Sequence, residues 1–505
     1  MKCKTCQNNS IKFTKDILWV GVSQTLIFFF GFFTLPAITK NFGAEMYGLW
    51  AQIGVTVGLL NPILTLHLGT ATVRYLSAEN KKDKLSQSFS NMFWIIVLIS
   101  LIAIITANFL KVDLSELLFK NNSYSYFIIL MFIWATTGAL FTFLIGYLRA
   151  KGKMKHLSLI NLLCYSLKFI PLVIFAILGF PIYLIIIAQI MVELLFILLL
   201  FSSITKKIGF SWPNISNLKK YLLFSIPQIP TGALLWIIDS SDRYFITNFL
   251  GLSQTGIYSA SYSIGSIISL FYVPISFVIF PVISSFWERN KILNVKQYLE
   301  YSTKIFLFIG IPTSAGLYVL SKPLLQILTT SEFLAGGGIL TFLIALSTIF
   351  LGIFQINLYI ICLIEKTKFM PLIVGLSAFI NVAFNIFLIP KIGINGAAVS
   401  TIISYMSLTF IVLIWAKKIV DYDLDFIFLV KVSLSSLIML IFLNFLPTSN
   451  IIEIISAALL GIIIFICCIF ILKPFSAAEK EVIYNFIRTL KSQLNIKFKK
   501  VKIIK

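Results

Sequence analysis

The chain has 505 residues, 59% of them hydrophobic and only 12% charged, with 48 phenylalanines and a mean hydropathy of +0.97. A water-soluble globular domain is about 45–50% apolar and about 25% charged, so this composition excludes one and fits segments solvated by lipid. The formal net charge of +22 raises nucleic-acid binding as a rival, but the basic residues are scattered over short gaps rather than gathered on a domain, which excludes it.

The chain opens with a polar, basic tail at 1–16. The apolar stretch after it is long enough for a full span and ends without a small-x-small cleavage site, so the first helix is expected to stay. Cys3 and Cys6 make a CxxC, yet two ligands fall short of a structural zinc site. Cys164, Cys362, Cys467 and Cys468 read as small apolar fillers. Apolar stretches suited to crossing about 30 Å of hydrocarbon are expected at 17–38, 47–68, 89–110, 124–148, 157–178, 181–204, 221–246, 257–285, 298–320, 335–361, 369–389, 394–415, 426–446 and 451–472. The second carries Asn61, Pro62 and His67 and is the weakest by hydropathy.

The gaps between these stretches decide the topology. With the N-terminus in the cytoplasm, 32 of the 41 lysines and arginines fall on the cytoplasmic side and five on the other, namely Lys40, Lys111, Lys120, Lys322 and Lys391. Such a bias orients a membrane protein. Dropping 47–68 would reverse every later gap and destroy the bias, so the charges argue for the weak span. The expected fold is an all-α integral membrane protein with fourteen transmembrane helices, in the inner (cytoplasmic) membrane with both termini cytoplasmic. Attraction to anionic lipids accounts for the charge.

The gap at 205–220, which holds Trp212-Pro213, separates six spans from eight. The expected organisation is a first six-helix lobe at 17–204, a cytoplasmic linker at 205–220, a second lobe at 221–415 and a terminal helix pair at 426–472, around a central cavity. The end, 473–505, begins with Ser476 and Glu479 as a capping box and continues as a basic amphipathic helix on the membrane surface. Each lobe opens with an interrupted helix, carrying Pro36 in the first and Pro227, Pro230 and Gly232 in the second. A similar joint follows each, NFGAEMYGLW at 41–50 and NFLGLSQTGIYSA at 248–260. Paired halves with broken helices suit alternating access.

Polar residues within spans mark candidate sites. Asp239 and Arg243 are four apart and can pair on one helical face, with Asp242 beside them; the group is either a structural pair or a coupling site. Lys168 lies in mid-span with no acid within four residues. An aqueous cavity would explain it and would suit an anionic substrate, whereas a partner such as Glu193 on the next span is the alternative. Arg74 and Arg149 flank cytoplasmic helix ends, where a guanidinium could fork to phosphate oxygens. Gln24, Gln52, Asn61, Gln228, Gln355, Asn357, Asn381 and Asn385 place amides in spans, either lining a sugar-accommodating cavity or joining helices. His67 and His156 make no persuasive proton relay. Nucleotide-binding, HExxH and GxSxG motifs are absent, so no catalytic role and no cofactor are expected, and Na+, H+ or the membrane potential is the candidate driving force.

Three stretches carry a family resemblance: FGAEMYGLWAQ at 42–52, DSSDRYFITNFLGLSQTGIYSASYSI at 239–264, and FNIFLIPKIGINGAAVSTIIS at 384–404. Over residues 11–472 the chain resembles the polysaccharide-biosynthesis flippases of the multidrug/oligosaccharidyl-lipid/polysaccharide exporter superfamily, which include O-antigen flippases of lipopolysaccharide synthesis. The resemblance implies a V-shaped cavity between spans 1–6 and 7–12, and passage of a polyprenyl-pyrophosphate-linked glycan to the outer leaflet. Cavity cations would meet the pyrophosphate, with Lys168, Arg74 and Arg149 as the positions available. It also implies membrane lipids and glycan-polymerase machinery as partners. Multidrug exporters of the same superfamily, and flippases for lipid II or another lipid-linked envelope precursor, are the alternatives.

Overall fold

The computed structural model describes residues 2–77, 79, 81–214 and 218–474; the amphipathic helix expected at 476–505 lies outside them. The first part of the chain forms α1 (Lys2–Leu64), α2 (Leu68–Leu76), α3 (Lys82–Phe109), α4 (Lys111–Phe119), α5 (Ser125–Ala150), α6 (Met154–Ile177) and α7 (Ile182–Ile208). The second part begins with four shorter pieces, α8 (Leu218–Ser225), α9 (Ile229–Ser240), α10 (Asp242–Leu250) and α11 (Leu252–Gly265). It continues with α12 (Ser269–Trp287), α13 (Ile292–Leu328), α14 (Ile339–Asn357), α15 (Tyr359–Leu363), α16 (Met370–Ile392), α17 (Ile394–Val420), α18 (Phe426–Leu443) and α19 (Ile451–Leu472).

Among the described residues, thirteen helical stretches are long and apolar enough to cross a membrane. This is an all-α multi-pass membrane protein. Many large apolar side chains face outward, among them Phe109, Phe379 and Phe470. Helices satisfy their own backbone groups, so their apolar sides can meet lipid directly.

The count differs from the fourteen expected because 17–38 and 47–68 fall within one helical run, Trp19–Leu64, which is interrupted at Gly43 with φ 75° and ψ −173°. Residues 2–16 of the expected tail continue into this run as backbone helix. The stretch expected at 221–246 is instead three helices, because a 3-10 turn at Ile226–Gln228 carrying Pro227 parts α8 from α9. Proline lacks the amide hydrogen that a continuous helix needs.

The core of the first part gathers Leu68, Phe89, Ala139 and Phe143, all fully buried. In the second part α14 packs between α13 and α17, and α16 packs on α9 and α17. The terminal pair docks on α13, with Phe308 5.3 Å from Phe465 and the Lys304 ammonium 2.8 Å from Asp425. Asp425 also caps α18, accepting from the Phe428 amide at 2.9 Å.

The linker is strapped down along its first half. Asn91 of α3 donates to the Asn214 carbonyl at 2.6 Å and accepts from the Asn214 amide at 2.8 Å. Trp212 lies parallel to Trp94 at 5.9 Å.

Candidate functional site

The two parts of the chain meet where their helices are broken. Gly43 and Gly251 (φ 87°, ψ 171°) hold nearly the same backbone conformation, one that side-chain-bearing residues rarely adopt. Five residues beyond each lies another glycine. A Cβ at Gly48 would fall 2.0 Å from the Leu252 carbonyl oxygen, and a Cβ at Gly256 would fall 2.0 Å from the Ala44 carbonyl oxygen. The contact is reciprocal: each helix places its glycine against the first residue of the other. Any side chain at either glycine would separate the two backbones.

Further bonds run along the same stretch of α1. The Ala44 amide, freed by the break, donates to Glu332 at 3.0 Å, so a carboxylate from the second part caps a helix start in the first. Trp236 donates to the Val55 carbonyl at 3.0 Å, and the Thr56 and Tyr244 hydroxyls stand 2.5 Å apart. The parts also touch at α4 with α10, at α1 with α13, and at α2 and α3 with α8, where the second part begins.

Each part contains a buried ion pair. In the first, Lys168 of α6 is paired with Glu193 of α7, and both are buried. Thr137 of α5 donates to the other Glu193 oxygen at 2.5 Å, and Gln189 donates to the Lys168 carbonyl at 2.9 Å. Lys168 therefore departs from the reading of a lone cation in an aqueous cavity. Its counter-charge comes from the adjacent helix, which spares the cost of an isolated charge in lipid.

In the second part Arg243 pairs with its neighbour Asp242 at 3.2 Å and donates to the Asp239 backbone carbonyl at 3.1 Å. The expected Asp239–Arg243 carboxylate pair is thus replaced by a tyrosine cage. Tyr258 donates to Asp242, while Tyr262 and Tyr405 donate to Asp239 at 2.7 and 3.1 Å. The Arg243 guanidinium sits 4.3 Å from the Tyr262 ring centre, a cation–π contact. Beside the cage, Ser241 donates to Asn381 at 3.2 Å and Asn385 to Asn381 at 2.9 Å.

The other expected site residues are dispersed. Gln24 is exposed on α1, and Arg149 is exposed at the end of α5. Gln52 is wholly buried, with no hydrogen-bond partner for its amide among the described residues, so it is not exposed on a cavity wall. Asn61 donates to Thr142 at 3.4 Å, joining α1 to α5, and Gln228 donates to the Phe224 carbonyl at 2.9 Å, a local bond. Arg74 is exposed and stacks over Phe224 at 4.3 Å. The structure gathers Asp239, Asp242 and Arg243, joins Lys168 to Glu193, and joins neither group to Arg74 or Arg149. The cage tyrosines are the residues not anticipated. Tyr258 and Tyr262 stand four apart in the YSASY stretch, a visible signal that they share a helical face.

This fold is shared with solved membrane transporters and a flippase. The chain superimposes on lipid II flippase MurJ in its inward closed conformation with a TM-score of 0.75 at 19% identity, covering 90% of this chain and 98% of that one. A multidrug resistance MATE family transporter of the MOP superfamily, in its inward-facing conformation, matches with a TM-score of 0.66 at 16% identity, over 80% of this chain and 98% of that one. Residues 13–287, more than half the chain, match the family model of the polysaccharide biosynthesis protein, and the chain belongs to that family. A probable low-salt glycan biosynthesis flippase, Agl15 of Haloferax volcanii, is 25% identical over 195 residues, 39% of this chain and 40% of that protein. The alignments span 36% to 56% of the length of the curated relatives that the chain matches.

Proposed function

We propose that this protein is a flippase that carries a polyprenyl-(pyro)phosphate-linked oligosaccharide from the cytoplasmic to the outer leaflet by alternating access. The observation that carries this reading is the reciprocal contact of Gly48 and Gly256, which joins two similarly broken helices at one end. The two parts also touch along α1 with α9 and α13, at α4 with α10, and at α2 and α3 with α8. Two bundles that share such a seam can rock about it and expose a cleft alternately to either side.

The same break supports the proposed fourteen-span topology. A straight helix of the 46 residues at Trp19–Leu64 would be about 69 Å long at about 1.5 Å per residue, more than twice the hydrocarbon layer of about 30 Å. A reversal at Gly43 turns it into two spans. In that arrangement Gly43 and Gly251 lie on the outer side and both termini in the cytoplasm, an orientation supported by the distribution of lysine and arginine. The two lobes are then α1–α7 and α8–α17, with α18 and α19 as the terminal pair.

The cargo class rests on the family and on the glycan-flippase relative. Arg149, exposed where α5 ends on the cytoplasmic side, is the proposed first contact of the cargo phosphate. The amides and hydroxyls of the tyrosine cage and its Asn381–Asn385 neighbours form the proposed coupling site, answering to Na+, H+ or membrane potential rather than ATP. The MATE likeness of the fold favours one other reading, a multidrug exporter. Leaflet-resolved measurement of lipid-linked glycan in cells lacking the protein separates the two. Accumulation of glycan on the cytoplasmic leaflet is expected; unchanged glycan with a loss of drug efflux would replace the flippase by the exporter.

A further inference from the structure

The junction of α2 and α8 holds a cluster of cations that the buried networks do not use. The Arg74 guanidinium lies 4.3 Å from the Phe224 ring centre and 5.5 Å from that of Tyr75. The Lys220 ammonium lies over the same Tyr75 ring at 4.7 Å. Behind them Tyr75 packs on Tyr221 at 5.3 Å, and the Tyr221 hydroxyl stands 2.8 Å from that of Ser88 on α3. The aromatic shelf is therefore anchored, and the cations on it are exposed. Among the described residues none of Arg74, Lys219 and Lys220 is paired with a carboxylate.

Two hollows adjoin at this place. One, of about 530 Å³, is lined by Tyr75, Lys219, Lys220, Leu223 and Phe224. The other, of about 340 Å³, is lined by Leu218, Lys219, Leu222, Leu223, Ile226 and Pro227. Lys219 and Leu223 border both, so a cationic mouth opens beside an apolar groove. A guanidinium stacked on a ring keeps its N–H edge free for oxyanions, and lysines near a membrane surface add attraction for anionic headgroups. The groove has no use for a free phosphate. It suits the acyl chain of a molecule whose head carries the phosphate.

We infer that the α2–α8 junction is a binding site for an anionic phospholipid, with its phosphate among Arg74, Lys219 and Lys220 and an acyl chain along Leu222, Leu223 and Ile226. Because α2 belongs to the first part of the chain and α8 starts the second, the bound lipid bridges the two. The inference stands apart from the flippase reading, since it concerns a resident lipid and not the cargo.

The test uses the full-length protein in phosphatidylcholine nanodiscs with or without phosphatidylglycerol, and native mass spectrometry to count retained lipid. The wild type should retain phosphatidylglycerol and unfold at a higher temperature in its presence. Lys219→Gln with Lys220→Gln, both at exposed positions, should weaken that retention roughly tenfold or more, the order expected for two lost headgroup contacts. Lys206→Gln with Lys207→Gln removes the same charge elsewhere and should retain the lipid as the wild type does. Equal retention by the Lys219/Lys220 variant would overturn the inference, and so would an equal loss in the Lys206/Lys207 variant, which would mean diffuse attraction. Inorganic phosphate in phosphatidylcholine discs should not reproduce the stabilisation; if it does, the site takes free phosphate and the lipid assignment fails.

Discussion

The two buried ion pairs solve one problem in opposite ways. Lys168 and Glu193 sit on neighbouring helices, so their attraction itself joins α6 to α7, and Thr137 ties in α5. Asp242 and Arg243 are adjacent on one helix and join nothing by themselves. There the tyrosines do the joining: Tyr258 and Tyr262 from α11 and Tyr405 from α17 reach across to the two carboxylates. Both arrangements spare buried charges from isolation, but the first turns on a direct cross-helix ion pair and the second on three tyrosine hydroxyls. A connection made of several hydroxyls can be weakened by degrees. That suits the part of the molecule where the coupling site is proposed.

The largest effect that would test this contrast is Glu193→Gln, which leaves Lys168 buried beside a neutral amide and should cost about 3–5 kcal/mol, read as a lower unfolding temperature of the purified protein. Replacing both partners, Lys168→Met with Glu193→Leu, should recover most of that loss, since an apolar pair needs no compensation. Failure to recover would mean that the pair does more than join helices. In the second part, Tyr258→Phe removes one hydroxyl from a buried carboxylate and should cost about 1.5–3 kcal/mol. Tyr405→Phe should cost less, about 1 kcal/mol, because Tyr262 still serves Asp239 at the shorter distance. Equal losses from these two substitutions would show that the cage acts as a unit rather than by degrees.

The smallest effect belongs to the surface ions between α17 and the start of the terminal pair. The Lys417 and then the Lys296 hydrogen bond keep the Asp421 carboxyl below its ordinary range. Burial raises Asp425, but its bonds to Lys304 and to the Phe428 amide outweigh this and hold it low as well. A depressed carboxyl pKa contributes stability that is present above the unfolded value of about 3.9 and is lost as pH falls through the folded one. Hydrogen exchange at the start of α18, corrected for intrinsic rates, should therefore quicken only below about pH 4. Acceleration already at neutral pH would assign the docking to other contacts.

The helical architecture was legible because lipid imposes a length and a polarity on every span. The paired joints were legible as well: NFGAEMYG and NFLGLSQTG announce two similar breaks, and the structure places Gly43 and Gly251 in matching conformations. Helical periodicity reaches only along one helix, which is why the site was read less well. It put Asp239 and Arg243 on one face and suggested a pair. It carried no information that Tyr405, more than 160 positions away, would take the carboxylate instead. For Lys168 the sequence did offer Glu193 on the next helix as a partner, and the structure joins the two; periodicity along one helix could not choose that partner over an aqueous cavity. Gly48 was part of the quoted joint, but only the packed helices reveal that its missing side chain leaves room for the Leu252 carbonyl.

The Gly48–Gly256 contact has the form of an isologous dimer interface, in which one patch meets a copy of itself across a twofold axis. Here both copies lie on one chain. In a true homodimer a single mutation alters both sides of such an interface together, and self-complementarity restrains what can change. Within one chain that restraint is lifted: either glycine can be changed alone, and the two sides of the seam can be made unlike. The chain keeps the geometry of a symmetric assembly while being free to give its halves different work, an ion pair between helices in one and a tyrosine cage in the other.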